Sequence, residues 1–450
     1  KSMAMLLPSL IDATCFMANK TLQPGRRTLP WKFLVAALIP LFHPPLPAAD
    51  SGLIFPQGKI FPFMGYSGVP ARDARSGFSV AGPSYAADQE PELERAEAAG
   101  LSFPYKIGLR MNFHAKSPEQ PLPLTAEEIR KQITAQVAKV ADRKSICWWY
   151  LGPEEIRYWY RNEMEYLRVA SEAIRAADPL KRPIWMYEPN FRTAVSLMKT
   201  GRHLDIIGKG VYVNLADYRD SRIWVRWSVE QEVQAIEQLA KTDTRQRIPI
   251  MLPELCRDPA DPAQDHLIPS WVRHDVYLGL MSGAKGVAIW SLFRRKEVRR
   301  TWQIWYDAYA AVGQELTGPA QLGQVFLFGT KSQQFPVRIV AGTKEVELKK
   351  GASKKFETTT TSANEKAEKR IMYPSLSVSE YEHDGVTYLF LCNSSGTDRV
   401  TYQAEIPNDE FHVIDLMARR GYSHKDDRLY GWIEPLEVRC YRIESSVRTR

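Results

Sequence analysis

From residue 60 to 317, short apolar runs alternate with longer stretches whose apolar residues recur at helical spacing. This alternation predicts a parallel β/α architecture. Eight runs read as strands: 60–65, 77–81, 105–113, 146–151, 183–187, 204–212, 248–253 and 286–292. Between them lie amphipathic stretches at 127–140, where Ile129, Ile133, Val137 and Val140 share a face, and at 158–177 and 229–240. A last helix at 300–316 carries Trp302, Trp305, Tyr306, Tyr309 and Val312 at helical spacing, a stripe for packing. Eight such units in about 260 residues match a (β/α)8 TIM barrel. The run 77–81 is the shortest and rich in glycine, so a barrel short of one strand stays open as an alternative.

From about Gln321 the pattern changes to short alternating runs at 375–381, 386–392, 398–406, 411–415 and 436–443, with turn residues such as His383-Asp384-Gly385 and Asn393-Ser394-Ser395-Gly396 between them. These predict a C-terminal antiparallel β-sandwich domain. The Lys-, Thr- and Ser-rich stretch 344–369 reads as a surface loop. The expected organisation is a leader at 1–50, a barrel at 51–318 and an accessory sandwich at 319–450.

Barrel chemistry gathers at the C-terminal ends of the strands. There the polar exits are Asn112 and His114 after the third run, Glu154 and Glu155 after the fourth, Glu188 after the fifth, Tyr212 after the sixth, Glu254 after the seventh and Trp290 in the eighth. A carboxylate ending an apolar strand is costly unless solvated, paired or used. Glycosidic cleavage needs two carboxyl groups, one to protonate the leaving oxygen and one to attack the anomeric carbon or activate water. Aromatic side chains at the same mouth, Tyr150 among them, stack on sugar rings.

Composition adjusts this picture in a few places. An apolar fraction of 44% and a charged fraction of 25% are those of a folded chain. Basic Lys20, Arg26, Arg27 and Lys32 precede the apolar run 33–42, and Pro47-Ala48-Ala49 follows, which is the pattern of a secretory signal peptide at about 20–49 and implies a secreted or periplasmic protein. The apolar run is too short for stable membrane insertion; a buried N-terminal helix is the other reading. Residues 1–49 carry a net +4 of the chain's +8, so the excess left for the rest is small and gives no case for a nucleic-acid partner. Beyond the leader, Cys147, Cys256, Cys392 and Cys440 are widely spaced, without the pairs of a zinc site. Cys392 and Cys440 lie in strand-like runs where pairing in an oxidising compartment competes with two inert thiols. No metal or cofactor is expected, and no GxGxxG after a strand, GxxxxGK[ST], HExxH or GxSxG is present.

The order of these exits resembles that of the retaining glycoside hydrolases of clan A. Leu151-Gly152-Pro153-Glu154 is similar to that clan's Gly-Asn-Glu segment, and Leu252-Pro253-Glu254 to its strand-seven glutamate. Asn112-Phe113-His114, Tyr212 and Trp290 fall where the clan has its strand-three histidine, a tyrosine touching the nucleophile and a tryptophan flooring the sugar site. The resemblance implies a glycoside hydrolase acting on a poly- or oligosaccharide with retention, with Glu154 as acid/base and Glu254 as nucleophile. It also implies a hydrogen bond from Tyr212 to the Glu254 anion, whose charge, together with partial burial, would raise the pKa of Glu154. Pro153 departs from the pattern by replacing the asparagine that contacts the sugar's 2-hydroxyl.

Several alternatives accompany this reading. Pro153 followed by two acids suits a helix N-terminus, with Glu155 as the capping charge. Glu254 could instead be a structural glutamate paired with an arginine such as Arg110. Glu155 or Glu188 could serve an inverting enzyme, and Glu188 could bind a hydroxyl. A non-catalytic polysaccharide-binding barrel is the rival from another class. Arg294 and Arg295 follow the eighth run, either as a solvated helix start or as recognition of an anionic sugar.

Overall fold

The computed structural model describes residues 52–113, 118–215, 222–349, 371–417 and 422–446. The predicted leader, His114 and most of the 344–369 loop therefore lie outside the described residues. Seven parallel strands form one curled sheet: β1 (Phe63–Gly65), β2 (Phe103–Gly108), β3 (Ile146–Gly152), β4 (Ile184–Glu188), β5 (Ile206–Val211), β6 (Ile248–Pro253) and β7 (Val287–Ile289), in the order β1-β7-β6-β5-β4-β3-β2. The predicted second strand is only a rung. Ser79 and Val80 donate to Phe63 O, and Ala81 donates to Ser102 O at 2.8 Å, so the segment joins the sheet's two edges and closes the barrel. Its brevity has a steric cause: a Cβ on Gly82 would stand 2.1 Å from Gly65 O, so the chain hugs β1 and then leaves.

Helices α1 (Pro70–Asp73), α2 (Glu90–Ala98), α3 (Ala126–Val140), α4 (Arg161–Ala177), α5 (Ala194–Gly201), α6 (Trp224–Ala240), α7 (Ile268–Met281), α8 (Trp302–Thr317) and α9 (Leu322–Phe328) surround or follow the sheet. α3 starts in a capping box, Glu128 N donating to Thr125 Oγ1 at 3.2 Å and Thr125 N to Glu128 Oε2 at 2.7 Å, and it buries the predicted face Ile129, Ile133, Val137 and Val140. All seven residues of β3 are buried, as expected of a parallel strand covered on both faces. Trp148 and Tyr150 point into the barrel with Trp185, Ile250 and Leu252, whereas Trp149 and Leu151 face the helices. Trp149 Nε1 donates to Asp178 at 2.8 Å with the Arg182 guanidinium over its ring, which anchors the barrel floor.

Two predicted boundaries move. The strand expected at 105–113 ends at Gly108, whose N–H and C=O are both held by the Gln136 amide at 3.1 Å, so Asn112 sits in an exposed loop at φ 55. No helix starts at Pro153-Glu154-Glu155: Glu155 has φ 58, its N–H bonds Tyr187 O, and α4 begins only at Arg161. Glu155 is thus not a capping charge.

The C-terminal part is a sandwich. Strands β8 (Thr330–Ser332), β9 (Val337–Ala341), β10 (Glu345–Glu347), β11 (Met372–Pro374), β12 (Leu376–His383), β13 (Val386–Asn393), β14 (Val400–Glu405), β15 (Phe411–Asp415), β16 (Tyr422–Lys425), β17 (Arg428–Ile433) and β18 (Val438–Ser445) form a five-stranded sheet, β15-β18-β13-β12-β8, a four-stranded sheet, β16-β17-β14-β9, and a β10-β11 ribbon. Leu389, Leu391, Tyr402, Leu429, Ile433 and Tyr441 fill the space between the two larger sheets. The other face of the five-stranded sheet packs on barrel helices, Phe390 against Phe326 of α9 at 4.6 Å, and His274 of α7 reaches Ser394 Oγ at 3.1 Å. Cys392 and Cys440 sit in this layer as buried free thiols.

Candidate active site

A cavity of about 280 Å³ opens at the C-terminal ends of the barrel strands, lined by Tyr66, Tyr85, Glu154, Glu155, Tyr187, Tyr212, Leu215 and Trp290. Almost every strand contributes. Tyr66 follows β1, Tyr85 follows the Val80 rung, Glu154 and Glu155 follow β3, Tyr187 lies in β4, Tyr212 and Leu215 follow β5, and Trp290 follows β7. Tyr187 and Tyr212 stack with centroids 6.3 Å apart, Tyr212 meets Trp290 at 5.2 Å, and Trp290 Nε1 donates to Tyr85 OH at 2.8 Å. The walls are aromatic and mutually braced.

Of the two carboxyls lining this cavity, Glu154 is the more enclosed. The buried Tyr150 hydroxyl donates to its Oε1 and in turn accepts from Tyr66 OH at 3.0 Å. Tyr150 therefore orients the carboxyl from behind. Burial raises the Glu154 pKa above the usual carboxylate range, opposed by the Tyr150 hydrogen bond and by the Lys106 charge. Of the two causes expected for this rise, burial supplies it, and Glu254 is not among the groups acting on Glu154. Glu155 is exposed on the same cavity wall.

Glu254 ends β6 and pairs with Trp290 as a parallel bridge, but its carboxylate is gripped by main chain: Leu215 N donates to Oε2 at 2.8 Å and Asn214 N to Oε1. Tyr309 OH donates to its carbonyl at 2.8 Å, and Cys256 Sγ stands 3.8 Å from Oε2. The side chain is 4% exposed. Desolvation lifts its pKa to about 7 in spite of the two amides and the nearby Arg222, which favour the anion. The expected Tyr212 partner is replaced by these amides, and the Tyr212 hydroxyl interacts with Tyr187. Arg110 is exposed, so the structural pairing with that residue is also excluded.

Three other expected contacts do not converge here. Glu188 is fully buried against Arg192, 3.3 Å from its Nε, and burial lifts its pKa to about 7; it does not line the cavity. Its side chain belongs to a buried layer with Lys209 and Glu232, since alternate residues of a strand face opposite ways. Asn112 is on its exposed loop. Arg294 is exposed with its guanidinium 5.7 Å from the Trp302 ring, whereas Arg295 lies over Trp290 at 4.1 Å. Tyr66, Tyr85, Tyr187 and Leu215 line the cavity, and Lys106 stands beside its Tyr85, without having been singled out as site residues, whereas Arg295 had been expected with Arg294 to meet an anionic sugar and lies against the Trp290 wall. Tyr66 and Tyr187 stand at the ends of predicted strands, so counting aromatic exits along with polar ones would have found both. Among the described residues no group of three or more metal-ligating side chains occurs, and no helix is long and apolar enough to cross a membrane.

No protein-family model and no curated protein matches the chain. Solved structures that it resembles include a GH30 endoxylanase from Clostridium papyrosolvens, 12% identical with a TM-score of 0.47 over 86% of this chain and 97% of that one. An α-amylase from Geobacillus thermoleovorans complexed with acarbose is 8% identical with a TM-score of 0.47 over 88% and 99%. A glycoside hydrolase family 30 subfamily 8 xylanase from Clostridium acetobutylicum is 10% identical with a TM-score of 0.44 over 86% and 96%.

Proposed function

We propose that the protein is a glycoside hydrolase that cleaves a poly- or oligosaccharide with retention, Glu154 acting as acid/base and Glu254 as nucleophile. The observation that carries this reading is Glu154 itself, a carboxyl with a burial-raised pKa on the wall of an aromatic cavity at the strand ends. A general acid for a glycosidic oxygen must hold its proton near neutrality, and desolvation favours that form. Tyr150 sets the carboxyl's direction, while Tyr187, Tyr212 and Trp290 offer faces for a sugar ring. Glu254 stands behind Leu215 and Trp290, held by two amides that favour its anion. In this mechanism Glu154 protonates the leaving oxygen as Glu254 attacks the anomeric carbon, and Glu154 then deprotonates the water that releases the sugar. The leader pattern at 20–49 supports export to a secreted or periplasmic location.

A second reading has its own support. Glu155 lines the cavity with Glu154 and Glu254 does not, which favours inversion with Glu155 activating water. Proton NMR of the first-formed anomer on a panel of glycans separates the two. Retention, with turnover lost in Glu254→Gln and kept in Glu155→Gln, is the expected result; the inverted anomer, with the sensitivities exchanged, would replace the first reading by the second. Glycans bound but never cleaved would leave a polysaccharide-binding barrel.

A further inference from the structure

Two cations flank the cavity's rim at neighbouring rings, Lys106 at Tyr85 and Arg295 at Trp290. Tyr85 is 48% exposed and ties to Trp290 through the indole N–H. Lys106 Nζ lies 5.8 Å from the Tyr85 centroid, and the Arg295 guanidinium lies 4.1 Å over Trp290, one N–H donating to Ser291 Oγ at 2.9 Å. The Arg295 charge reaches Tyr85 and Cys256, and the Lys106 charge reaches Glu154. Among the described residues neither cation has a carboxylate within the 4.0 Å of an ion pair, whereas Arg222 and Arg300 nearby are bound by Asp275 and Asp265. A guanidinium has five N–H donors, and the bond to Ser291 uses one.

We infer that the cavity takes a single terminal uronic acid residue of a glycan, with its carboxylate held at the Tyr85 rim by Arg295 and Lys106. This rests on the glycosidase reading for the occupant being a sugar, and it adds the substrate class. Three observations carry it. A volume of about 280 Å³ lies just below the ~300–1,000 Å³ range of ligand pockets, which suits one ring better than a run of rings. The site is bipolar: Glu154 and Glu155 line it, while Lys106 and Arg295, without acid partners among the described residues, stand against its Tyr85 and Trp290 rings. A bound carboxylate also offsets Lys106, the charge that otherwise draws the proton off Glu154, so an anionic occupant keeps the acid in the form that catalysis needs.

The test is calorimetric titration of the full chain with glucuronate and galacturonate against glucose and galactose at pH 7 and low salt. Charge-assisted hydrogen bonds to a carboxylate predict that the uronates bind about tenfold or more tightly than their neutral counterparts. Lys106→Met and Arg295→Met should each lower that ratio about tenfold, and Arg295→Lys should retain part of it. Equal affinity for acidic and neutral sugars, binding of none of them, or an equal loss for both classes in the variants overturns the inference. Turnover is read separately on aryl glucuronides and aryl glucosides. Uronate preference without cleavage keeps the ligand class and removes the glycosidase reading; cleavage of neutral glycosides alone does the reverse.

Discussion

Replacing Glu254 by glutamine tests the electrostatics of the site and its chemistry at once. The carboxyl's pKa is lifted from 4.5 to about 7 by burial, so the folded protein binds this proton more tightly than the unfolded chain does. The associated stability is fully present below the unfolded pKa and is lost as pH rises through about 7. Each pKa unit corresponds to ~1.4 kcal/mol, so ionisation in the folded state costs about 3 kcal/mol relative to the unfolded chain, most of it between pH 5 and 9. Glutamine has nearly the same shape and never ionises, but its amide group leaves one of the two donors, Asn214 N or Leu215 N, without an acceptor, at about 1–3 kcal/mol. Glu254→Gln should therefore be less stable than the parent at pH 5 and match or exceed it at pH 9, the difference moving by about 2–3 kcal/mol across that range. Urea unfolding of both proteins at a series of pH values measures it, and Glu188, also raised to about 7, is present in both and cancels. A difference that stays constant with pH would refute the claim that Glu254 is a buried high-pKa acid. Under the retaining mechanism the same variant loses turnover by roughly three orders of magnitude or more.

Tyr150→Phe removes a hydroxyl that holds Glu154 down and accepts from Tyr66, so the alkaline limb of the pH–rate profile should move up and stability should fall by about 1–3 kcal/mol; a downward or absent shift contradicts the assigned hydrogen bond. Asp178→Ala strands the buried Arg182 guanidinium and the Trp149 indole N–H, and should cost about 3–5 kcal/mol in urea unfolding, a loss below about 1 kcal/mol being the contrary result. Cys147, Cys256, Cys392 and Cys440 are buried with raised thiol pKa values, so a disulfide reagent at pH 8 should leave all four unmodified until urea is added, as read by peptide mass. Prompt labelling of any of them in the native protein would show that its layer opens.

The barrel was readable in the sequence because its strands are buried on both faces and stand out as unbroken apolar runs: β6 begins and ends at the predicted residues, and β3 and β4 within one. What failed were features set by tertiary contact. The second rung depends on how closely Gly82 can approach β1, and the end of β2 depends on a glutamine reaching across from α3. Strands β8 to β11 and β16 are short and largely half-exposed, and they carry too little alternation to be told from loops. At the site, Glu154 was visible as a carboxylate ending an apolar run. Glu188 satisfied the same criterion, yet its side chain turns to a buried layer outside the cavity, and strand position alone does not tell which way an exit residue points.

Glu154 and Glu254 both have a raised pKa but are held in opposite ways, and that difference bears on their roles. Glu154 receives a hydroxyl hydrogen bond and borders open space, so burial acts on a carboxyl that can still reach a substrate oxygen. Glu254 is enclosed, and two amide donors pull toward its anion while desolvation pulls further the other way. A positive charge developing on a sugar ring beside Glu254 would supply the missing stabilisation, so its ionisation should be coupled to the occupant of the cavity. Lys106 acts in the reverse sense on Glu154, and an acidic sugar beside it would offset that charge. Ligand binding is thereby expected to move the two carboxyls apart in pKa, Glu154 upward and Glu254 downward, which is the separation that acid and nucleophile require of otherwise identical side chains.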